Sequence, residues 1–127
     1  MAADGVEWRA ERLPGLLVLT SGDLGPSQAA GLVYPQDLGA QLAAHLAASG
    51  GGPLLDACAA PGGKALLAAD LLGGAVVALE RSPRRLRTLR ELARRWGGRG
   101  LQVVGGDAAR PPLRGGFATV LLDAPCS

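Results

Sequence analysis

The sequence predicts an α/β domain built on a parallel sheet, and three observations carry that prediction. Short, unbroken apolar runs alternate with helical segments, the pattern of a βαβαβ unit. Each of four such runs is followed by an acid: Asp56, Glu80, Asp107 and Asp123. A glycine-rich turn, Cys58 to Gly63, stands between the first of these runs and the helix after it. In an open α/β sheet, ligands bind outside the carboxyl ends of the strands. Four acids at four strand ends therefore point to a small-molecule site.

The elements follow in order along the chain. Leu16 to Thr20 reads as a short strand, followed by a Gly-, Pro- and Ser-rich loop through Gln28. Gln36 to Ala48 reads as a helix because Leu38, Leu42 and Leu46 recur at four-residue spacing. Gly50-Gly51-Gly52-Pro53 ends it and leads into the run Leu54 to Ala57. After the turn, Lys64 to about Leu72 is predicted helical, and Ala75 to Leu79 is the next strand. Ser82 as cap and Pro83 in the first turn start a helix that should reach Trp96. Leu101 to Val104 and Phe117 to Leu122 complete the strands.

Composition narrows the class. Hydrophobic residues make up 48% and charged residues 19% of the 127, too apolar for a disordered chain and enough for one small domain. The apolar stretch Ala65 to Leu79 is broken by Asp70 and Gly73-Gly74, short of a membrane span. Asp4 and Glu7 near the start argue against a secretory signal, and two cysteines cannot form a disulfide framework. The expectation is a reduced, cytoplasmic protein with no membrane partner and no metal. A net charge of +2 does not by itself argue for nucleic acid. Twelve arginines stand against one lysine, a bias of GC-rich coding, so Lys64 marks a place where a compact ammonium is needed.

The turn Asp56 to Lys64 lets a ligand approach the backbone at Gly62 and Gly63. It is not a P-loop, because Cys58 and Ala65 stand where glycine and Ser/Thr are required. It is not a G-x-G-x-x-G fingerprint either. Glu80, 17 residues past Gly63 at the next strand end, is placed to accept both ribose hydroxyls of a nucleoside. An adenosine ligand without a pyrophosphate fits best, and S-adenosylmethionine is the candidate.

The motifs DACAAPGGK (Asp56–Lys64) and DAPCS (Asp123–Ser127) together resemble the RsmB/Sun/Nop group of RNA (cytosine-5)-methyltransferases. GLVYPQDLGAQL, VVALERSPRRL and VVGGDAARPPL are similar to that family in order and spacing, so the resemblance covers about residues 31 to 127. It implies a Rossmann-like S-adenosylmethionine-dependent methyltransferase fold whose seven-strand sheet has its first and fourth strands adjacent. This chain would supply the first four strands, an incomplete fold with the fourth left at an edge. Residues 1–30 are then the end of a preceding RNA-binding or linker region, and 31–127 the N-terminal half of the methyltransferase domain. The expectation is a fragment, inactive alone, of an enzyme that is a monomer when full length.

The same resemblance implies roles for residues. Cys58, Ala59, Ala60, Pro61, Gly62, Gly63 and Lys64 would wrap the cofactor. Glu80 would hold its ribose, Asp107 its adenine amino group, and Asp123 would lie near its reactive end. Glu80 replaces the usual Asp, and Ala65 stands where Thr is common. The implied substrate is RNA, small-subunit ribosomal RNA first. An RNA 2′-O-methyltransferase shares a similar turn but lacks a Pro-Cys, and a non-catalytic cofactor-binding remnant or RNA-binding scaffold is the other alternative.

Cys126 has three readings. Methylation at cytosine C5 needs a thiolate to add to C6. By resemblance that attacker is a cysteine in a later Thr-Cys motif, and Cys126 assists product release; the nucleophile itself and a structural thiol are the alternatives. Residues 81–99 hold eight arginines and one acid, Glu91. Leu86, Leu89, Ala93 and Trp96 would face the sheet and leave the arginines in solvent, on a face also suited to RNA phosphates. His45 is read as structural.

Overall fold

A computed structural model describes residues 5–98 and 100–126. The chain divides into two compact units, residues 1–33 and 34–127. In the first, β1 (Glu7–Ala10) pairs antiparallel with β2 (Leu17–Ser21), and the single-turn helix α1 (Gly25–Ala29) follows. Only β2 was expected. Strand β1 is exposed at every residue, so its sequence, Glu-Trp-Arg-Ala, carries no apolar alternation to read.

The second unit runs α2 (Leu38–Ser49), β3 (Leu54–Asp56), α3 (Gly63–Leu72), β4 (Val76–Glu80), α4 (Pro83–Arg95), β5 (Leu101–Gly105) and β6 (Thr119–Leu121). The strands lie in the order β5-β4-β3-β6, and all three ladders are parallel. Strands β3 and β6, the first and fourth expected, are neighbours, as the methyltransferase resemblance implied. Strand β6 stands at the sheet's edge among the described residues, with Val120 and Leu122 exposed.

The winding explains how the sheet is covered. Strands β3, β4 and β5 step across it in one direction, and right-handed crossovers then place α3 and α4 on the same face. Leu54, Val76 and Ala78 point to that face and pack with Ala65, Ala68 and Leu89 of the helices. Leu55, Val77 and Leu79 alternate to the other face. There Ala108, Leu113 and Phe117, from the chain that returns from β5 to β6, provide the cover. Continuous apolar strands signalled burial on both faces; helices provide it on one and a loop on the other.

Helix α2 begins at Leu38, where the Asp37 carboxylate accepts a hydrogen bond from the Ala40 amide at 2.8 Å. Its leucine stripe turns outward: Leu38, Leu42 and Leu46 are 56%, 49% and 76% exposed. Ala44 and Ala47 are buried instead. Helix α3 presents Ala65, Ala68 and Ala69 to the same core, so small residues let the helices approach closely and decide the orientation. Helix α4 starts as expected, with the Ser82 hydroxyl accepting from the Arg85 amide and Pro83 in the first turn.

Leu89 is fully buried where α4 meets the turn before α3. Leu89→Ala should lower the unfolding free energy by about 2–5 kcal/mol, by lost transfer energy and the cavity left behind. Urea unfolding of the two chains checks this, and a loss below about 1 kcal/mol contradicts the packing.

Candidate functional site

Parallel strands bring their carboxyl ends to one edge, so Asp56, Glu80, Asp107 and Asp123 gather there. They do not share one environment. Glu80 is 4% exposed; its Oε1 accepts a hydrogen bond from the Ser82 amide at 2.8 Å. Its Oε2 is buried and has no hydrogen-bond partner among the described residues. The Arg85 Nη1 stands 3.9 Å from that oxygen, a charge contact beyond hydrogen-bond range. Arg85 Nη2 donates to the Ala60 carbonyl at 2.7 Å.

Asp123 takes the Lys64 ammonium at 2.7 Å, joining the turn after β3 to the end of β6. That hydrogen bond, then the charge of Lys64, hold the Asp123 carboxyl below the usual range. Asp56 is buried, and burial pushes its pKa up from 3.8 to about 6. The Cys58 amide (3.4 Å) and Lys64 oppose that rise, while Asp123 and Glu80 add to it. The Cys58 thiol is raised by burial first and by Glu80 and Asp56 next. Asp107 accepts from the Ala109 amide at 2.9 Å and meets Arg81 at 3.6 Å, in the open.

A cavity of about 490 Å³ opens among these groups, lined by Ala57, Cys58, Glu80, Arg85, Asp107 and Pro125 among others. That is room for a nucleoside-sized ligand. Glu80 lines this cavity, and a carboxylate oxygen without a hydrogen-bond partner is the kind of acceptor a ribose hydroxyl needs. The residues present therefore fit S-adenosylmethionine.

The expected residues sort unevenly. Cys58, Glu80 and Asp107 line the cavity, and Lys64 meets Asp123. Ala59 and Ala60 send their methyls into the core and offer the site only backbone, while Pro61 is exposed. Gly62 and Gly63 are buried under α4 and Tyr34, respectively. Cys126 is exposed, next to Pro125 of the cavity wall. One expectation is corrected. The arginines of α4 do not all face away: Arg85 turns to the strand ends because first-turn side chains tilt toward the helix N-terminus. Its position, in the first turn after a strand-end acid, was the readable signal. Arg84, Arg87, Arg90, Arg94 and Arg95 are exposed as expected.

A family model described as 16S rRNA methyltransferase RsmB/F matches residues 43–127. The chain belongs to the RsmB/F methyltransferase family. The tRNA (cytosine(72)-C(5))-methyltransferase of Pyrococcus horikoshii is 38% identical over 101 residues, covering 76% of this chain and 26% of that protein. The ribosomal RNA small subunit methyltransferase B of Vibrio cholerae is 43% identical over 107 residues, covering 80% and 24%. The chain thus spans about a quarter of these RsmB/F relatives. The crystal structure of NSun6 from Pyrococcus horikoshii with SFG matches with a TM-score of 0.72 at 30% identity, over 87% of this chain and 32% of that one. The sheet order is accordingly that of a partial Rossmann-like methyltransferase fold.

The raised Asp56 predicts a pH effect in this RsmB/F chain. Its folded pKa lies above the unfolded one, so the folded state binds more protons between pH 3.8 and about 6. This group's contribution therefore worsens as pH rises through that window, to a cost of about 3 kcal/mol at most above it. Asp56→Asn should be more stable than the wild type at about pH 7, with the gap closing by about pH 4. Urea midpoints at both pH values check it; a gap that stays constant sinks the assignment.

Proposed function

We propose that this chain is the cofactor-holding part of an RNA (cytosine-5)-methyltransferase that uses S-adenosylmethionine, with small-subunit ribosomal RNA as substrate. The observation that carries the reading is Glu80, a cavity-lining acid whose Oε2 is buried without a hydrogen-bond partner. Two RsmB/F relatives named for RNA methylation, one on tRNA and one on ribosomal RNA, support it. So does the structural match solved with SFG.

Bound, S-adenosylmethionine supplies the electrophilic methyl group. The chain's own part is to hold and orient. Cys58 to Lys64 form the wrapping turn, in which Cys58 lines the cavity while the two alanines and the two glycines are themselves buried. Glu80 Oε2 accepts a ribose hydroxyl, and Asp107 faces the adenine amino group. Asp123 marks the reactive end, and Lys64 keeps its carboxylate ionised and fixed. An ionised carboxylate there favours a nearby sulfonium charge. Cys126 acts at product release, beside the cavity mouth, while the attacking thiolate comes from a Thr-Cys segment of the full-length family enzyme. No helix among the described residues is long and apolar enough to cross a membrane.

Calorimetric titration of the chain with S-adenosylmethionine tests the cofactor. Glu80→Ala removes a charge-assisted hydrogen bond, roughly 1.5 to 3 kcal/mol, and should weaken binding roughly ten- to a hundredfold. Unchanged affinity refutes the ribose assignment. In a full-length family enzyme, replacing the cysteine that corresponds to Cys126 by alanine should let the covalent protein–RNA adduct form and accumulate on a denaturing gel. Complete loss of the adduct would make that cysteine the nucleophile.

A further inference from the structure

One guanidinium touches both sides of the candidate site. Arg85 Nη2 donates at 2.7 Å to the carbonyl of Ala60, in the turn that follows β3. Its Nη1 stands 3.9 Å from Glu80 Oε2, at the end of β4. These two partners lie 20 residues apart and on different loops. Arg85 itself is fixed from behind, because Leu86 and Leu89 of the same turns are packed in the core under α4.

The two contacts differ in kind. At 2.7 Å the Ala60 bond is short and charge-assisted, and it fixes the height of the turn above the sheet. At 3.9 Å the Glu80 contact attracts the carboxylate without occupying its lone pairs. The carboxylate is therefore held in place, with Oε1 tied to Ser82, and still free to accept at Oε2. A planar fork holds its donors on two nitrogens at a fixed separation and so reaches both partners in one geometry; an ammonium offers its three donors from a single nitrogen on a flexible stem.

We infer that Arg85 is a positioning residue for ribose recognition, an inference that rests on the cofactor reading above. It sets the spacing between the Cys58–Gly63 turn and the Glu80 acceptor, and so decides how well a ribose between them is gripped. It makes no bond to the reacting atoms.

The test is a ligand cycle on the whole chain. Affinities for adenosine and for 2′,3′-dideoxyadenosine are measured by calorimetry on the wild type, Glu80→Ala, Arg85→Ala and Arg85→Lys, together with thermal midpoints without ligand. The wild type should prefer adenosine about tenfold or more, the worth of one charge-assisted hydrogen bond. Glu80→Ala should abolish the preference. Arg85→Ala should shrink it, with the lower thermal midpoint expected when a buried acid loses its charge partner, and Arg85→Lys should restore it only in part. A preference that stays at the wild-type ratio in both Arg85 variants overturns the positioning role and leaves the cofactor reading standing. Equal losses for both ligands make Arg85 merely structural and overturn it too. If Arg85→Ala does not fold, the Arg85→Lys ratio decides. A wild type that binds neither adenosine nor S-adenosylmethionine removes the cofactor reading, and the inference with it.

Discussion

A Cβ on residue 62 would lie 2.7 Å from Leu89 Cδ1 and 3.2 Å from Leu92 Cδ2. With glycine there, at φ 122°, α4 lies directly on the turn that joins β3 to α3. The next residue is pressed from the other side, since a Cβ on Gly63 would meet the ring of Tyr34. The turn is thus clamped between a helix and the segment before α2. Much of the site depends on that clamp. It brings the Ala60 carbonyl to Arg85 and starts α3 where the Lys64 ammonium reaches Asp123. It also turns the Cys58 amide toward Asp56.

The electrostatics follow from depth. Four acids at one edge repel one another, and each is managed by its distance from water. Asp56, deepest, has no cation in contact among the described residues and moves toward the neutral form, with its pKa at about 6. Asp123, near the surface, has Lys64 at 2.7 Å and stays ionised. The Arg81–Asp107 pair, at 3.6 Å with both side chains largely in solvent, adds little. Glu80 combines burial with an arginine at charge distance, so the buried acid keeps a partner for its charge but not for its lone pairs.

Sequence patterns revealed what packing makes periodic. Strands β3, β4 and β5 are buried or half-buried along most of their length, and their continuous apolar runs located them to within a residue or two. The expected strand at Phe117–Leu122 shrinks to Thr119–Leu121, because Ala118 turns its amide to the Pro53 carbonyl before the ladder begins. The α2 stripe misled because apolar spacing reports a helix without saying which face is buried; alanines that permit close approach won over leucines. The glycine turn and the strand-end acids were legible because their chemistry is local. Arg85 was not. It stands among eight arginines between residues 81 and 99, and only the direction of a first-turn side chain separates it from those that face solvent.

Position 80 shows how a glutamate fits this arrangement. A glutamate has one methylene more than an aspartate, which carries the carboxylate away from its own backbone; one oxygen accepts from the Ser82 amide, and the other is buried 3.9 Å from Arg85 Nη1. Ser82 is the cap of α4, and its hydroxyl accepts from the amide of Arg85. The acid at the end of β4 therefore holds the residue that starts α4, and the third residue of α4 faces that acid across its free oxygen. Acid, cap and guanidinium form a closed local circuit within six residues of chain. The Ala60 carbonyl, from outside it, ties the circuit to the clamped turn. On the proposed reading, a ligand held at Glu80 would be referenced to both loops at once, as a site needs when it must present one end of a cofactor at a fixed place.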